Sequence, residues 1–279
     1  MKKIAIQGIA GSFHEDAVRK YFGDEQVEIV ECRSFQSVCE LVDTDQVNIA
    51  VMAIENSIAG SILQNYSLIR DFHLHVIGET YVHIQMNLMM NPGAKREDIK
   101  TIYSHPIAIR QCAEYIEKYL PNARIIENQD TAMSGKIVST DNLMDAAAIG
   151  NLRTAELYGL NVLDSGIETN KKNYTRFWVL SKHANQNGGS NKASLAFEVG
   201  HYYGALARVL NIFAENRINL NKIQSLPIVG KPNEYTIHVD VEYDSEENYE
   251  KAIHRILKNV SSLSILGEYT RAEMEITNQ

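Results

Sequence analysis

Residues 73–90 read HLHVIGETYVHIQMNLMM, a stretch too long and too strand-like to be one more unit of the pattern around it. On either side, short apolar runs alternate with segments of helical period. KKIAIQG at 2–8, VEIVEC at 27–32, NIAVMAIE at 48–55, KTIYSH at 100–105, ARIIEN at 123–128 and DAAAIG at 145–150 each lead into a helical stretch. Such alternation marks βαβ units around a mostly parallel sheet. A long crossing strand in their midst predicts two α/β lobes joined by extended hinges, near 75–85 and 160–170, with a cleft between them.

Past residue 183 the pattern changes. Residues 184–193, ANQNGGSNKA, hold no apolar residue except the terminal alanines and read as a linker between an amino-terminal domain, 1–183, and a carboxy-terminal one, 194–279. The second domain runs strand (ASLAFEVG), helix (YGALARVLNIFAENR), two strands (INLNKIQSLPIVG and NEYTIHVDVEY), helix and strand (SSLSILGEYT). In the later helix Tyr249, Ala252, Ile253, Ile256, Leu257 and Val260 share one face, and Asp244 with Glu247 forms a capping box. The order βαββαβ predicts a ferredoxin-like antiparallel sheet with both helices on one face. Its other face and its edges are expected to find a partner copy.

The chain has 279 residues, 27 Lys and Arg against 35 Asp and Glu, and a formal net charge of −8. No basic block exceeds two residues, so nucleic acid and anionic membrane are not expected as partners. An anionic metabolite remains compatible, held locally by helix N-termini and one or two arginines. Cys32, Cys39 and Cys112 form neither a CxxC pair nor a disulfide framework and point to a reducing compartment. With no membrane span and no secretory signal, the expected location is the cytoplasm. No GxGxxG follows a strand and no GxxxxGK[ST] is present, which counts against nucleotide cofactors.

Five polar clusters fall where an apolar run ends and a helix begins: Gly8 to His14, Glu55-Asn56-Ser57 with Gly60-Ser61, Ser104-His105-Pro106 with Gln111, Asp130-Thr131, and Gly150-Asn151. Ligands of open α/β sheets bind at this end of the strands, although taken singly each cluster reads equally as a helix cap. Glu55 closes the apolar run NIAVMAI and suits an acid or hydrogen-bonding role. His73, His75 and His83 share one face of an extended segment without a carboxylate partner nearby, and no metal site is expected there. In NKKNYTRFWVLSK, 170–182, amides and cations end in Thr175-Arg176 at the mouth of a buried strand, a place from which a rigid element hands a side chain to a cleft.

The order of IENSIAGS (54–61), YSHPIAIRQC (103–112), DTAMSGKIV (130–138), AAIGNLRTAELYGLNVL (147–163), NYTRF (173–177) and GALARVL (204–210) resembles the prephenate dehydratases: a catalytic domain followed by an ACT regulatory domain. The resemblance covers nearly the whole chain. It implies a two-lobed catalytic domain similar to type 2 periplasmic-binding folds. It also implies decarboxylating dehydration of prephenate to phenylpyruvate in phenylalanine biosynthesis, without metal or other cofactor. Thr175 matches the family's catalytic threonine, with Glu55, Asn56 and Gln111 as further catalytic positions. Ser57, Ser104, Thr131, Arg176 and Phe177 match substrate-binding ones. The ACT likeness implies a homodimer or homotetramer with phenylalanine as effector, bound by Gly204, Ala205, Leu206, Gln224 and Ser225. The motif that is usually Glu-Ser-Arg-Pro stands here as Gln224-Ser225-Leu226-Pro227, a loss of one carboxylate and one guanidinium that is expected to alter interface pairing. Arogenate dehydratase, and a non-catalytic amino-acid sensor, are the competing readings.

Overall fold

The stretch 73–90 forms two strands in two different sheets, β5 (His75–His83) and, beyond a crossing at 84–86, β6 (Asn87–Met90). This is a computed structural model describing residues 1–185, 189–228 and 230–274. The amino-terminal lobe holds β1 (Lys2–Gln7), α1 (Phe13–Phe22), β2 (Val27–Cys32), α2 (Phe35–Asp43), β3 (Ile49–Asn56), β4 (Gly60–Ser61) and α3 (Leu63–Asp71), followed by β5. The second lobe follows β6 with β7 (Thr101–Ser104), α4 (Pro106–Gln111), α5 (Ala113–Tyr119), β8 (Arg124–Glu127), α6 (Thr131–Thr140), β9 (Ala146–Gly150), α7 (Leu152–Tyr158) and β10 (Asn161–Ser165). The chain then crosses back over 166–173 into β11 (Tyr174–Ser181), which completes the first sheet. This second crossing lies later than 160–170 because β10 occupies 161–165.

In the first sheet the order is β2-β1-β3-β11-β5, with β4 paired to the tip of β3. β1, β2 and β3 run parallel, while β11 inserts antiparallel between β3 and β5. The second sheet has the order β10-β6-β9-β7-β8. Local chemistry sets the helix starts. Ser34, Asp130, Asn151 and Ser245 each accept a backbone N–H as N-caps of the helices that follow them. For the last helix the cap is Ser245, accepting from Asn248 N, in place of the expected Asp244 box.

Beyond the linker come β12 (Lys192–Glu198), α8 (Ala205–Glu215), β13 (Asn219–Pro227), β14 (Tyr235–Glu242), α9 (Glu246–Ile256) and β15 (Ser262–Tyr269), in sheet order β13-β14-β12-β15. The expected linker overlaps this sheet at Lys192, and its centre, including Gly188, lies outside the described residues, as does the chain beyond 274. One sheet face packs on α8 and α9 through Leu195, Phe197, Val209, Phe213, Val239 and Ile256. The other face is not bare, as the strand pattern had implied. Ala196, Leu226, Leu266 and Tyr269 share a core with Met52, Tyr66, Trp178 and Leu180 of the amino-terminal lobe. Each fully buried leucine or methionine there contributes about 1.5–3 kcal/mol. β15 approaches β5 so closely that a Cβ on Gly267 would lie 2.0 Å from the Val76 carbonyl oxygen. Only a glycine fits at that crossing.

Candidate active site

A cleft of about 480 Å³ lies between the lobes, lined by the tips of β3 and β11, the crossings, and the starts of α1, α4 and α6. Thr175, Asn56, Gln111, Thr131 and Phe177 line it, with Ser12, His14, Met86, His105, Gln129 and Asp130 around them. Strand parity explains the first of these. Thr175 pairs with Asn56 across β11 and β3, and residues opposite one another in an antiparallel pair project to the same side. Phe177, two residues on, lies on that side too and pairs with Ala53.

Four amide and hydroxyl groups form one relay. Asn56 Nδ2 donates to Thr175 Oγ1 at 3.0 Å, to Asn173 Oδ1 at 2.8 Å and to the Tyr174 carbonyl at 3.3 Å. Its Oδ1 accepts the N–H groups of Ile58 at 3.0 Å and Ala59 at 2.8 Å, which fixes the amide's orientation. Asn173 Nδ2 in turn donates to Gln111 Oε1 at 3.0 Å. With an N–H directed at its oxygen, the Thr175 hydroxyl has its own proton free for a third group in the cleft. Asn173, wholly buried, is the member that sequence reasoning missed. It stands two residues before Thr175 in NYTRF, but its contact to Gln111 spans 62 positions.

Two predicted site residues face away from the cleft. Between the pairs Arg176↔Glu55 and Phe177↔Ala53, β3 carries one extra residue, Ile54. Such a bulge reverses side-chain parity. Ile54 and Glu55 therefore both lie on the rear face, where Ile54 joins the core shared with the carboxy-terminal sheet and Glu55 Oε2 accepts from Lys222 Nζ at 2.8 Å. Arg176 is on the same face, 5% exposed, paired with Glu79 and Asp240. Neither lines the cleft: both side chains are engaged on the rear face, away from where a substrate-binding arginine or a cleft acid was expected.

Two serines are also accounted for by the backbone. Ser104, wholly buried, donates to the Ile149 carbonyl at 2.7 Å and ties β7 to β9. Ser57 Oγ donates to the Lys172 carbonyl at 3.0 Å and accepts Tyr174 N–H at 2.9 Å, fastening the return crossing to β3. Neither lines the cleft. The expected arginine is absent as well, since no Lys or Arg is among the described lining residues.

What the cleft offers an anion is neutral donors. Ser12 stands at the start of α1 without capping it, its hydroxyl buried and without a partner among the described residues. His105 accepts Ile107 N–H on Nδ1 at 3.2 Å, and burial lowers its pKa, so the neutral ring carries its proton on Nε2. His14 accepts Ala53 N–H on Nε2 at 3.3 Å between the rings of Phe35 and Phe177, and burial lowers its pKa to about 4. Asp130 is the one carboxylate of the lining, and its oxygens are taken by Ala132 N–H at 2.6 Å and Ile9 N–H at 3.2 Å. Burial raises its pKa against those bonds. Asp130 so joins the lobes, and Asp16 does the same by accepting from Asn151 at 2.5 Å and Arg153 at 2.6 Å.

The predicted effector residues divide. Ser225 borders a recess with Val199 to His201, Asn233 to Tyr235, Ile237 and Ser261, whereas Gly204, Ala205 and Leu206 begin α8 outside that lining. Gln224 is half-buried on β13, its amide donating to the Ser225 carbonyl at 3.0 Å. Among the described residues, no cluster of three His, Cys, Asp or Glu is placed to hold a metal ion, the cysteines are free, and no helix is long and apolar enough to cross a membrane.

Comparison with known proteins places these features. The family model described as prephenate dehydratase matches residues 4–185. An arogenate dehydratase/prephenate dehydratase of Arabidopsis thaliana is 32% identical over 279 residues, covering 96% of this chain and 72% of that one. A prephenate dehydratase from Arthrobacter aurescens, solved in complex with L-Phe, superposes with a TM-score of 0.86 at 27% identity, covering 97% and 90% of the two chains. A quorum-quenching acylase superposes at 0.87 with 25% identity, covering 97% and 98%. The match over most of the two lobes, around a cleft where Thr175, Asn56 and Gln111 meet, makes this chain a member of the prephenate dehydratase family.

Proposed function

We propose that the protein is a carbon–oxygen lyase of phenylalanine biosynthesis that converts prephenate to phenylpyruvate, with Thr175 as the donor to the leaving hydroxyl. The observation that carries this reading is the Thr175 hydroxyl, oriented by Asn56 at 3.0 Å in a cleft between two lobes. In the reaction the bond from the ring to its carboxylate breaks and the carboxylate leaves as CO2. The electron pair completes the aromatic ring and the C4 hydroxyl departs, taking one proton to become water. The electrons balance internally and aromatisation drives the step, so the protein's work is to hold the dianion and to meet the departing oxygen with a donor. A threonine hydroxyl is a weak acid and acts here through a well-aimed hydrogen bond.

The substrate's carboxylates are bound by neutral groups: the free N–H groups and Ser12 hydroxyl at the start of α1, Thr131 at the start of α6, and His105 Nε2–H. Helix N-termini favour anions, and a dry cleft strengthens each such bond. The same lining favours prephenate over arogenate. Arogenate's ammonium calls for a carboxylate, and among the described lining residues Asp130 alone carries one, at the lobe junction with an N–H already on each oxygen.

The two lobes form a catalytic domain of the periplasmic-binding type, and the βαββαβ module is an ACT regulatory domain. Its inner sheet face is covered within the chain, which leaves the long edge strand β13 to meet a second copy. L-phenylalanine is the effector, taken at that edge beside Ser225, a reading supported by the relative solved with L-Phe. Incubation of the purified protein with prephenate, and separately with arogenate, tests the assignment. Phenylpyruvate from prephenate is expected at a higher kcat/KM than phenylalanine from arogenate. Turnover of neither substrate, with hydrolysis of an acyl amide instead, would contradict it.

A further inference from the structure

Directly behind the relay, on the opposite face of the same two strands, lies a second polar assembly that the chemistry above does not use. Arg176 Nε donates to Glu79 Oε2 at 2.7 Å, Nη1 meets Asp240, and Nη2 donates to the Tyr269 hydroxyl at 3.1 Å. Lys192 donates to Glu79 Oε1 at 2.9 Å, and Ser194 to Asp240 Oδ1 at 2.6 Å. Arg176, Glu79, Asp240 and Lys192 are each at most 5% exposed. Two cations meet two anions, Arg176 and Glu79 from the amino-terminal lobe and Lys192 and Asp240 from the carboxy-terminal sheet. Burial alone would raise the Asp240 carboxyl, but Arg176 beside it outweighs that and holds its pKa below the usual range. At the bulge next door, Lys222 of β13 donates to Glu55 at 2.8 Å and to Ser61 at 2.9 Å, over the ring of Tyr66.

Buried ion clusters seldom add net stability over well-packed apolar residues of similar size, and their best-attested role is to fix register. Two of the residues so held are immediate neighbours of relay residues: Glu55 precedes Asn56 and Arg176 follows Thr175. β3 is bulged at this point, so its tip is not set by the ladder alone.

We infer that Glu55 and Arg176 are positioning residues through which Lys222 and Asp240 of the carboxy-terminal sheet hold the tips of β3 and β11 with Asn56 and Thr175 aimed into the cleft. The inference rests on Thr175 being the donor. A displacement of the carboxy-terminal sheet against the amino-terminal lobe is then felt at Thr175 without any contact from that sheet to substrate.

The test compares Lys222→Met, Lys222→Arg and Asp240→Asn with wild type, using Lys251→Met, at an exposed pair on α9, as control and Thr175→Val as reference. Full-length proteins are assayed for kcat and KM with prephenate, below the melting temperature of every variant. Emission of the single tryptophan, Trp178, whose ring lies 5.5 Å from the Arg176 guanidinium, reports on the rear face. Lys222→Met and Asp240→Asn are expected to lower kcat at least tenfold with KM within threefold. Lys222→Arg is expected to recover kcat to within threefold of wild type, and Asp240→Asn to shift the Trp178 emission. Should Asp240→Asn fail to fold, the Lys222 pair decides. Wild-type kcat in folded Lys222→Met, or a loss confined to KM, overturns the inference. If Thr175→Val abolishes turnover alongside that result, only the positioning role falls; if Thr175→Val is itself fully active, the reading beneath it falls.

Discussion

Asn56→Asp reverses the polarity of the relay while keeping its shape. In wild type the Asn56 amide donates to Thr175 Oγ1, Asn173 Oδ1 and the Tyr174 carbonyl and accepts from Ile58 and Ala59. Aspartate preserves the two accepted bonds, so the 56–59 turn stays formed. Its second oxygen then faces three acceptors, and the one that can adapt is the threonine, whose hydroxyl turns to donate to the carboxylate. The proton meant for the leaving group is thereby withdrawn from the cleft. Removing one preorganised donor from an active site costs about 2.7–4 kcal/mol of transition-state stabilisation, or roughly 10²–10³ in kcat. Asn173 cannot rescue the arrangement by turning its own amide, because its Nδ2 is held by Gln111. The variant's kcat is expected to fall by about that factor in steady-state turnover of prephenate. The other half of the test is a melting temperature close enough to wild type that unfolding does not account for the loss. A folded Asn56→Asp protein with kcat within about threefold of wild type would refute the reasoning, since the relay would then not orient the donor.

Other expectations follow from the same geometry. Ser104→Ala strips a buried donor from the Ile149 carbonyl and should cost about 1–3 kcal/mol in denaturant unfolding with KM unchanged; a large rise in KM would return Ser104 to the substrate. Gly8→Ala forces a Cβ to within 2.2 Å of Asp130 Oδ2 at a φ of +101°, parting the loop from α6, and should raise KM sharply in the same turnover assay. In acid, His14 and His238, whose pKa values burial lowers to about 4, stay neutral in the fold while the unfolded chain takes up protons below the usual 6.5. Stability is therefore full above pH 6.5 and falls as pH drops toward 4, by about 1.4 kcal/mol per pH unit for each ring. Asp16 and Asp130, with raised pKa values, offset part of this near the acid end of that window. Urea unfolding at pH 7 and pH 5 with no difference in midpoint would contradict it.

Much of the fold was legible because period and punctuation agreed. The runs at 2–8, 27–32, 48–55, 100–105, 123–128 and 145–150 all contain strands, and 73–90 does pass between two sheets. The cleft pair Thr175 and Asn56 was legible as residues but not as a geometry. Period-two alternation separates Thr175 from Arg176, yet nothing in the sequence tells which face meets the cleft and which meets another sheet. Glu55 was harder still, because NIAVMAI is apolar throughout and gives no sign that Ile54 is a bulge that turns Glu55 away. The serines misled for a related reason. Ser57 and Ser104 stand at strand ends as ligand-binding residues do, but there the hydroxyls satisfy backbone groups of a crossing and of a neighbouring strand. Asn173 was passed over because its worth lies in a partner 62 residues away.

The claim that Thr175 meets the leaving hydroxyl is tested most directly by single-turnover conversion of bound prephenate by wild type, Thr175→Ser and Thr175→Val, corrected for the spontaneous reaction. Serine keeps the hydroxyl and valine keeps the shape without it. The expected result is a rate within about tenfold of wild type for serine and a loss of roughly 10²–10³ or more for valine, with prephenate still bound. Equal rates for valine and wild type would contradict the account.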